Sequence, residues 1–325
     1  MTYISTEPQV TDSWEEICYP VESLWLTDML PGYDIIATDR QQLVVGQRPG
    51  GRKTLFGIQS ADYTIVPNAA IREVIDELVA DYQLVIKYTT TGEFTISIVL
   101  PATVQVGTEN LHRSLTLTNS YNGKTPFSIQ GQSLTSLLDP ATRLGSSLYR
   151  NMCQNGLMGW ADPFADLAEY EFWLEQWTGG SKKKQPPKST TTPERTRQTR
   201  SQIRNIHHSA LTIELFQEHL RDLIAEHLTT EHTLTTQVYD HFQQTVAAGV
   251  DVTLLRELPI PAQLAKQARE RLRLEERMLE SELSYWLLYN AVNYALFTAR
   301  SSLTLNDRFR LDERVFHQLA AHSFA

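Results

Sequence analysis

Apolar residues along this chain follow two rhythms. Up to about residue 132 they fall in short runs rich in β-branched side chains, the composition of strands. DIIAT, QLVVGQ, TLFGIQ and DYTIV lie between Asp34 and Val66, and QLVIKYTT, EFTISIVLP, RSLTLTNS and PFSIQGQ follow. QRPGGRK (47–53) carries Pro49, Gly50 and Gly51, so a tight turn is expected, with Arg48, Arg52 and Lys53 at the tip of a basic hairpin. TTTGEF (89–94) and NSYNGKTP (119–126) read as further turns, the second through Asn122-Gly123. One helix interrupts the strands. In NAAIREVIDELVADY (68–82), Ile71, Val74, Ile75, Leu78 and Val79 recur at three- and four-residue steps, with Asn68 placed to cap them.

The remainder has a helical period. Helices are expected over 138–159, 164–178, 209–248, 261–283, 284–300 and 312–322, with a break near Thr229–Thr230. Arg269, Glu270, Arg271, Arg273, Glu275, Glu276 and Glu280 predict a charged, solvated face on the fourth of these. The expected fold is α+β: an antiparallel β-rich N-terminal half with one inserted helix, then an all-helical C-terminal half. Its divisions are a β-rich domain over 1–135, a helical connection over 136–178, a basic flexible linker over 179–203 and a helical domain over 204–325.

Composition narrows the class. With 325 residues, 41% hydrophobic and 21% charged, the chain can bury a sizeable core. Two cysteines, Cys18 and Cys153, exclude a disulfide framework and point to a reducing cytoplasm. MTYISTEPQV lacks the basic head and apolar run of a signal peptide, and YWLLYNAVNYALF (285–297) is broken by Asn290 and Asn293 and falls short of a membrane span.

The net charge of −9 is unevenly spread. Between Ser181 and His208 stand Lys182, Lys183, Lys184, Lys188, Arg195, Arg197, Arg200 and Arg204 against Glu194 alone, a net of +7 that leaves −16 elsewhere. This tract has no apolar anchor until Ile203 and is expected to be mobile. Together with the hairpin tip, Arg143 and Arg150, it offers cations for phosphate contacts. Tyr63, Tyr82, Tyr88, Tyr121 and Phe127 are candidate platforms for stacked bases.

Catalytic motifs are weak by comparison. QRPGGRKT departs from a phosphate-binding loop, since Arg52 replaces the lysine, Lys53 the hydroxyl residue, and a strand follows. His207, His208, His219, His227, His232 and His241 lack the three- or four-residue spacing of helical metal ligands. Cys153 has no nucleophile signature around it, and a buried role is expected. No catalytic residue, cofactor or metal is therefore assigned, and the chain reads as a non-enzyme.

Five segments resemble one family. LFGIQSADYTIVPNAAIREVIDEL (55–78), SLTLTNSYNGKTPFSI (114–129), NMCQNGL (151–157), RNIHHS (204–209) and ELSYWLLYNAVNYAL (282–296) are similar, in order and spacing, to the phage/plasmid-like proteins of domain-of-unknown-function family 932. The chain departs from that pattern where Asn151 and Met152 separate Arg150 from the cysteine signature, and in the length of its basic tract. The family has no settled activity, so the resemblance transfers no catalytic residue. It implies a mobile-element setting, where DNA processing and counter-defence are common tasks. The expected function is nucleic-acid binding, as an oligomer that binds or anneals single-stranded DNA. This has an analogy in the β-rich cores of recombination annealing proteins. The alternative is a protein-interaction factor, such as an inhibitor of a host defence complex or an assembly adaptor.

Overall fold

A computed structural model of the chain describes residues 9–29, 32, 41–61, 63–133, 145–179, 212–229, 234–246, 251–280 and 282–325. Two antiparallel sheets carry the N-terminal half. The smaller has the order β2 (Val21–Trp25), β3 (Gln41–Gln47), β4 (Lys53–Ser60), with the short helix α1 (Leu26–Met29) leaving β2. The larger begins with β1 (Gln9–Thr11) and β5 (Gln83–Tyr88), followed by the long pair β6 (Glu93–Val106) and β7 (Glu109–Ser120). β10 (Ser147–Arg150) and β11 (Asn155–Met158) complete it, while β8 (Ser128–Ile129) and β9 (Gln132–Ser133) attach beside β7. Helix α2 (Asn68–Leu78) lies between β4 and β5.

The α+β class holds, with antiparallel sheets first and helices after. The helices are α3 (Leu167–Gly179), α4 (Ile213–Thr229), α5 (Leu234–Gln244), α6 (Asp251–Glu257), α7 (Ala262–Leu279), α8 (Tyr285–Thr298) and α9 (Leu305–Ser323). α9 starts earlier than its apolar pattern implies because Thr304 and Asp307 form a reciprocal capping box there.

Several expectations change. Residues 145–158 are not helix but the β10–β11 hairpin, so the connection expected to be helical supplies two strands to the main sheet. Tyr63–Val66 runs on without joining a strand, and α2 stops at Leu78. Asn68 does not cap α2: Pro67 holds that place, and the buried Asn68 amide donates to Ile17 O while its Oδ1 accepts from Asn119. The DIIAT run and residues 138–144 lie outside the described residues, as does the basic tract.

The middle of the main sheet is buried on both faces, while its β1 edge is open to solvent. On one face the row Ile86, Ile96, Leu117, Ile129 crosses four strands and packs under Val74 and Ile75 of α2 and Phe216, Leu220 and Ile224 of α4. A helix from beyond the basic tract therefore completes the core of the strand half, and the divisions drawn from sequence do not correspond to separate cores. The other face carries hydroxyls, with rows Lys87, Thr95, Thr118, Ser128 and Val85, Ser97, Thr116. β11 comes back over this face at Gly156, where a Cβ would stand 2.5 Å from Thr116 Oγ1, so only glycine permits the approach. A second core forms around α8, which is buried on nearly every side and meets Tyr239, Phe242 and Phe316.

Candidate nucleic-acid interface

The β3–β4 hairpin is built as expected, with Gly50 at φ 68° and a turn closed by Gly51 N donating to Arg48 O over 3.0 Å. Its three cations have different tasks. Arg48 turns back on the main sheet: its guanidinium lies 5.1 Å from the Tyr88 ring centre and 5.9 Å from that of Tyr19, and it donates to Thr89 O over 2.8 Å. Arg48 thus anchors the hairpin to the end of β5. Arg52 is exposed at the tip, and Lys53 is exposed beside it, 2.9 Å from Glu22. An open pair of that kind contributes little to stability, and Lys53 can exchange Glu22 for a phosphate at small cost.

The aromatic platforms are mostly structural. Tyr121 is buried and accepts from Asn68 N, Tyr63 donates to Ser120 O, and Tyr82 donates to Asp76 while accepting from Trp14 Nε1. Tyr88 lies beneath Arg48, and Phe127 sits edge-on to Phe216. These rings are held by the core, so the expectation that they stack bases is corrected. The exposed large aromatics among the described residues are Trp25 and Phe172.

Arg150 is also corrected. Its side chain is 1% exposed, grips Glu109 with two hydrogen bonds of 2.7 and 3.0 Å, and donates to Glu275 over 2.6 Å. A guanidinium so enclosed cannot reach a phosphate backbone. Glu275 is fully buried and accepts from Arg271 as well, so two residues assigned to the solvated face of α7 turn inward. Arg271 also stacks 4.2 Å from the Tyr294 ring centre and donates to Met152 O.

The MCQN segment is the centre of a buried polar network. Cys153 Sγ donates to Asn290 Oδ1 over 3.2 Å, and burial pushes its thiol up to about 11, the opposite of an activated nucleophile. Gln154 takes φ 51° in the turn between β10 and β11. Asn155 accepts from Lys87 Nζ over 3.1 Å and donates to Asn293 Oδ1, which belongs to a side chain whose Nδ2 donates to Asp312. Trp160 Nε1 and Tyr289 OH complete the Asp312 carboxylate, and burial raises that acid to about 6. Sequence reasoning missed Lys87, Glu275 and Asp312. It met Asn290 and Asn293 only as interruptions of an apolar run, yet amides inside such a helix are themselves the signal of a buried polar contact.

The histidines do not converge. His227 is buried against Ser114 O, His241 stacks on Phe324 and bonds Ser323 O, and His219 stands partly exposed on α4. Among the described residues no three His, Cys, Asp or Glu side chains are grouped to hold a metal ion, and no helix is long and apolar enough to cross a membrane. His207, His208, His232, Arg143, Lys182, Lys183, Lys184, Lys188, Arg195, Arg197, Arg200 and Arg204 lie outside the described residues. No protein-family model matches the chain, and no curated protein or solved structure matches it.

Proposed function

We propose that this chain is a non-catalytic nucleic-acid-binding protein that holds the phosphate backbone of a single strand and works as a homo-oligomer. The observation carrying this reading is the hairpin tip: Arg52 and Lys53 face solvent on an arm that Arg48 fixes to the main sheet. The tract between Lys182 and Arg204 adds eight cations in an otherwise acidic chain. Such contacts bind backbone rather than sequence, with affinity that falls steeply with salt. The mobile-element setting follows from the resemblance to the phage/plasmid-like proteins.

Fluorescence anisotropy with a labelled oligonucleotide tests the reading. Neutralising Arg52 and Lys53 together removes two phosphate contacts and lowers the slope of log affinity against log salt by about 1.4 for a single strand. Failure of the unaltered chain to bind at about 50 mM salt would falsify the proposal. A second reading, a protein-interaction factor, is favoured by one observation. Leu55 and Ile58 are 55% and 54% exposed and share the outer face of the β2–β3–β4 sheet with Leu24. A pull-down from host extract that survives nuclease treatment distinguishes it.

A further inference from the structure

The hydroxyl-bearing face of the main sheet holds an incomplete polar site at its open edge. Lys87 on β5 stands opposite Thr95 on β6 and Val10 on β1, so all three side chains share this face. Val10 is 67% exposed, which opens the row to solvent at its outer end, whereas Thr95 is 3% exposed. Lys87 Nζ has three N–H donors, and one is given to Asn155 Oδ1. Among the described residues no carboxylate forms an ion pair with it.

Thr95 is an exception among its neighbours. Ser147 bonds both Ser114 and Thr116, and Thr118 bonds Ser128 over 2.5 Å, but the buried Thr95 Oγ1 has no hydrogen-bond partner. A sequestered ammonium with one neutral partner, facing an unsatisfied hydroxyl, is an unfavourable pair unless a third group joins them. An acid oxygen suits both, since it accepts from an ammonium and a hydroxyl alike.

We propose that Lys87 and Thr95, inward of the exposed Val10 on this face, form a binding site for a small oxyanion, a phosphate or carboxylate group. Burial pushes the Lys87 ammonium down to about 8, so it still carries its charge at neutral pH, and a bound anion would raise it again. The site is independent of the hairpin cations, and the proposal goes beyond the nucleic-acid reading.

Calorimetry on the full chain tests it, with inorganic phosphate and acetate titrated separately in a buffer free of other oxyanions. Saturable binding of either supports the site, and the ion preferred tells a phosphate from a carboxylate group. Lys87→Met should weaken that binding at least about tenfold, the loss expected for a charged hydrogen bond. Thr95→Val keeps shape without the hydroxyl, should weaken it severalfold, and carries the test alone if Lys87→Met does not fold. The double change Arg52→Ala and Lys53→Ala should leave the affinity within about twofold while reducing oligonucleotide binding. Neither ion binding, affinity unchanged in Thr95→Val, or loss on changing the hairpin would each overturn the proposal.

Discussion

Arg150→Met separates the structural role of this guanidinium from a role in binding. The substitution keeps much of the apolar stem and removes the charge from a side chain that is 1% exposed. Breaking a buried ion pair from one side costs about 3–5 kcal/mol, because the remaining charge stays buried. Here each carboxylate keeps a partner. Glu275 still accepts from Arg271 over 2.6 Å, and Glu109 still accepts from Trp286 Nε1 over 2.9 Å and is 19% exposed to water. The expected loss is therefore at the lower end, about 3 kcal/mol. With a urea dependence of about 3 kcal/mol per M, the unfolding midpoint should fall by about 1 M. Tryptophan fluorescence and circular dichroism followed together measure it. Adding Glu275→Met should not restore the loss, because Glu275 is still paired with Arg271 and its removal leaves that part-buried guanidinium without a carboxylate. Oligonucleotide affinity measured on the folded variant should not change. A midpoint moved by less than about 0.3 M, with a salt slope lowered by about 0.7, would refute the buried role and return Arg150 to the phosphate interface.

Acid should destabilise the fold through two histidines. Burial lowers His227 to about 4 and His317 to about 3 from an ordinary 6.5, so stability present above pH 6.5 is lost as pH falls towards those values. Asp312 acts in the opposite sense between about 6 and 3.8, gaining stability as it takes up its proton. His227→Gln should accordingly flatten stability against pH by about 1.4 kcal/mol per unit between pH 6 and 4, read from urea midpoints; an unchanged slope would contradict the neutral burial of His227. Cys153 should resist a thiol reagent such as dithionitrobenzoate until urea unfolds the chain, and Cys153→Ser should leave binding intact. Rapid labelling of the native protein at Cys153 would reopen the nucleophile assignment. Asn155→Leu strands the polar groups of Lys87 and Asn293, and a loss of about 2–3 kcal/mol is expected in the same urea assay.

Much of the fold is legible in local pattern. β3 through β7 follow the β-branched runs closely, and α7 and α8 follow theirs within a few residues. The helix expected over 138–159 gives way to a hairpin for one reason. SLYR and NGLM are too short for periodicity to separate strand from helix, and pairing with β7 decides the matter. The same limit hid the site. Charge alone does not reveal that Arg150 points inward, because Glu109 and Glu275 are its neighbours only after folding. The alternating Thr and Ser of β6 and β7 would ordinarily mark a solvated face, but the return of β11 over Thr116 buries it. Of the candidate interface, Arg52 and Lys53 could be placed from their turn, whereas Arg48, expected beside them, turns back onto Tyr88 and Thr89.

The Cys-Gln-Asn hairpin also sets an order of events during synthesis. Its bonds reach 125 residues ahead from Arg150 to Glu275, 138 from Asn155 to Asn293 and 152 from Trp160 to Asp312. At about 5–20 residues per second, a ribosome needs roughly 8–30 s to deliver the last of these partners after Trp160 has been made. Until those partners are made, Arg150 has Glu109 but not Glu275, Asn155 has Lys87 but not Asn293, and Trp160 lacks Asp312. The buried polar network of the strand half is thus completed only once α7, α8 and α9 have been made.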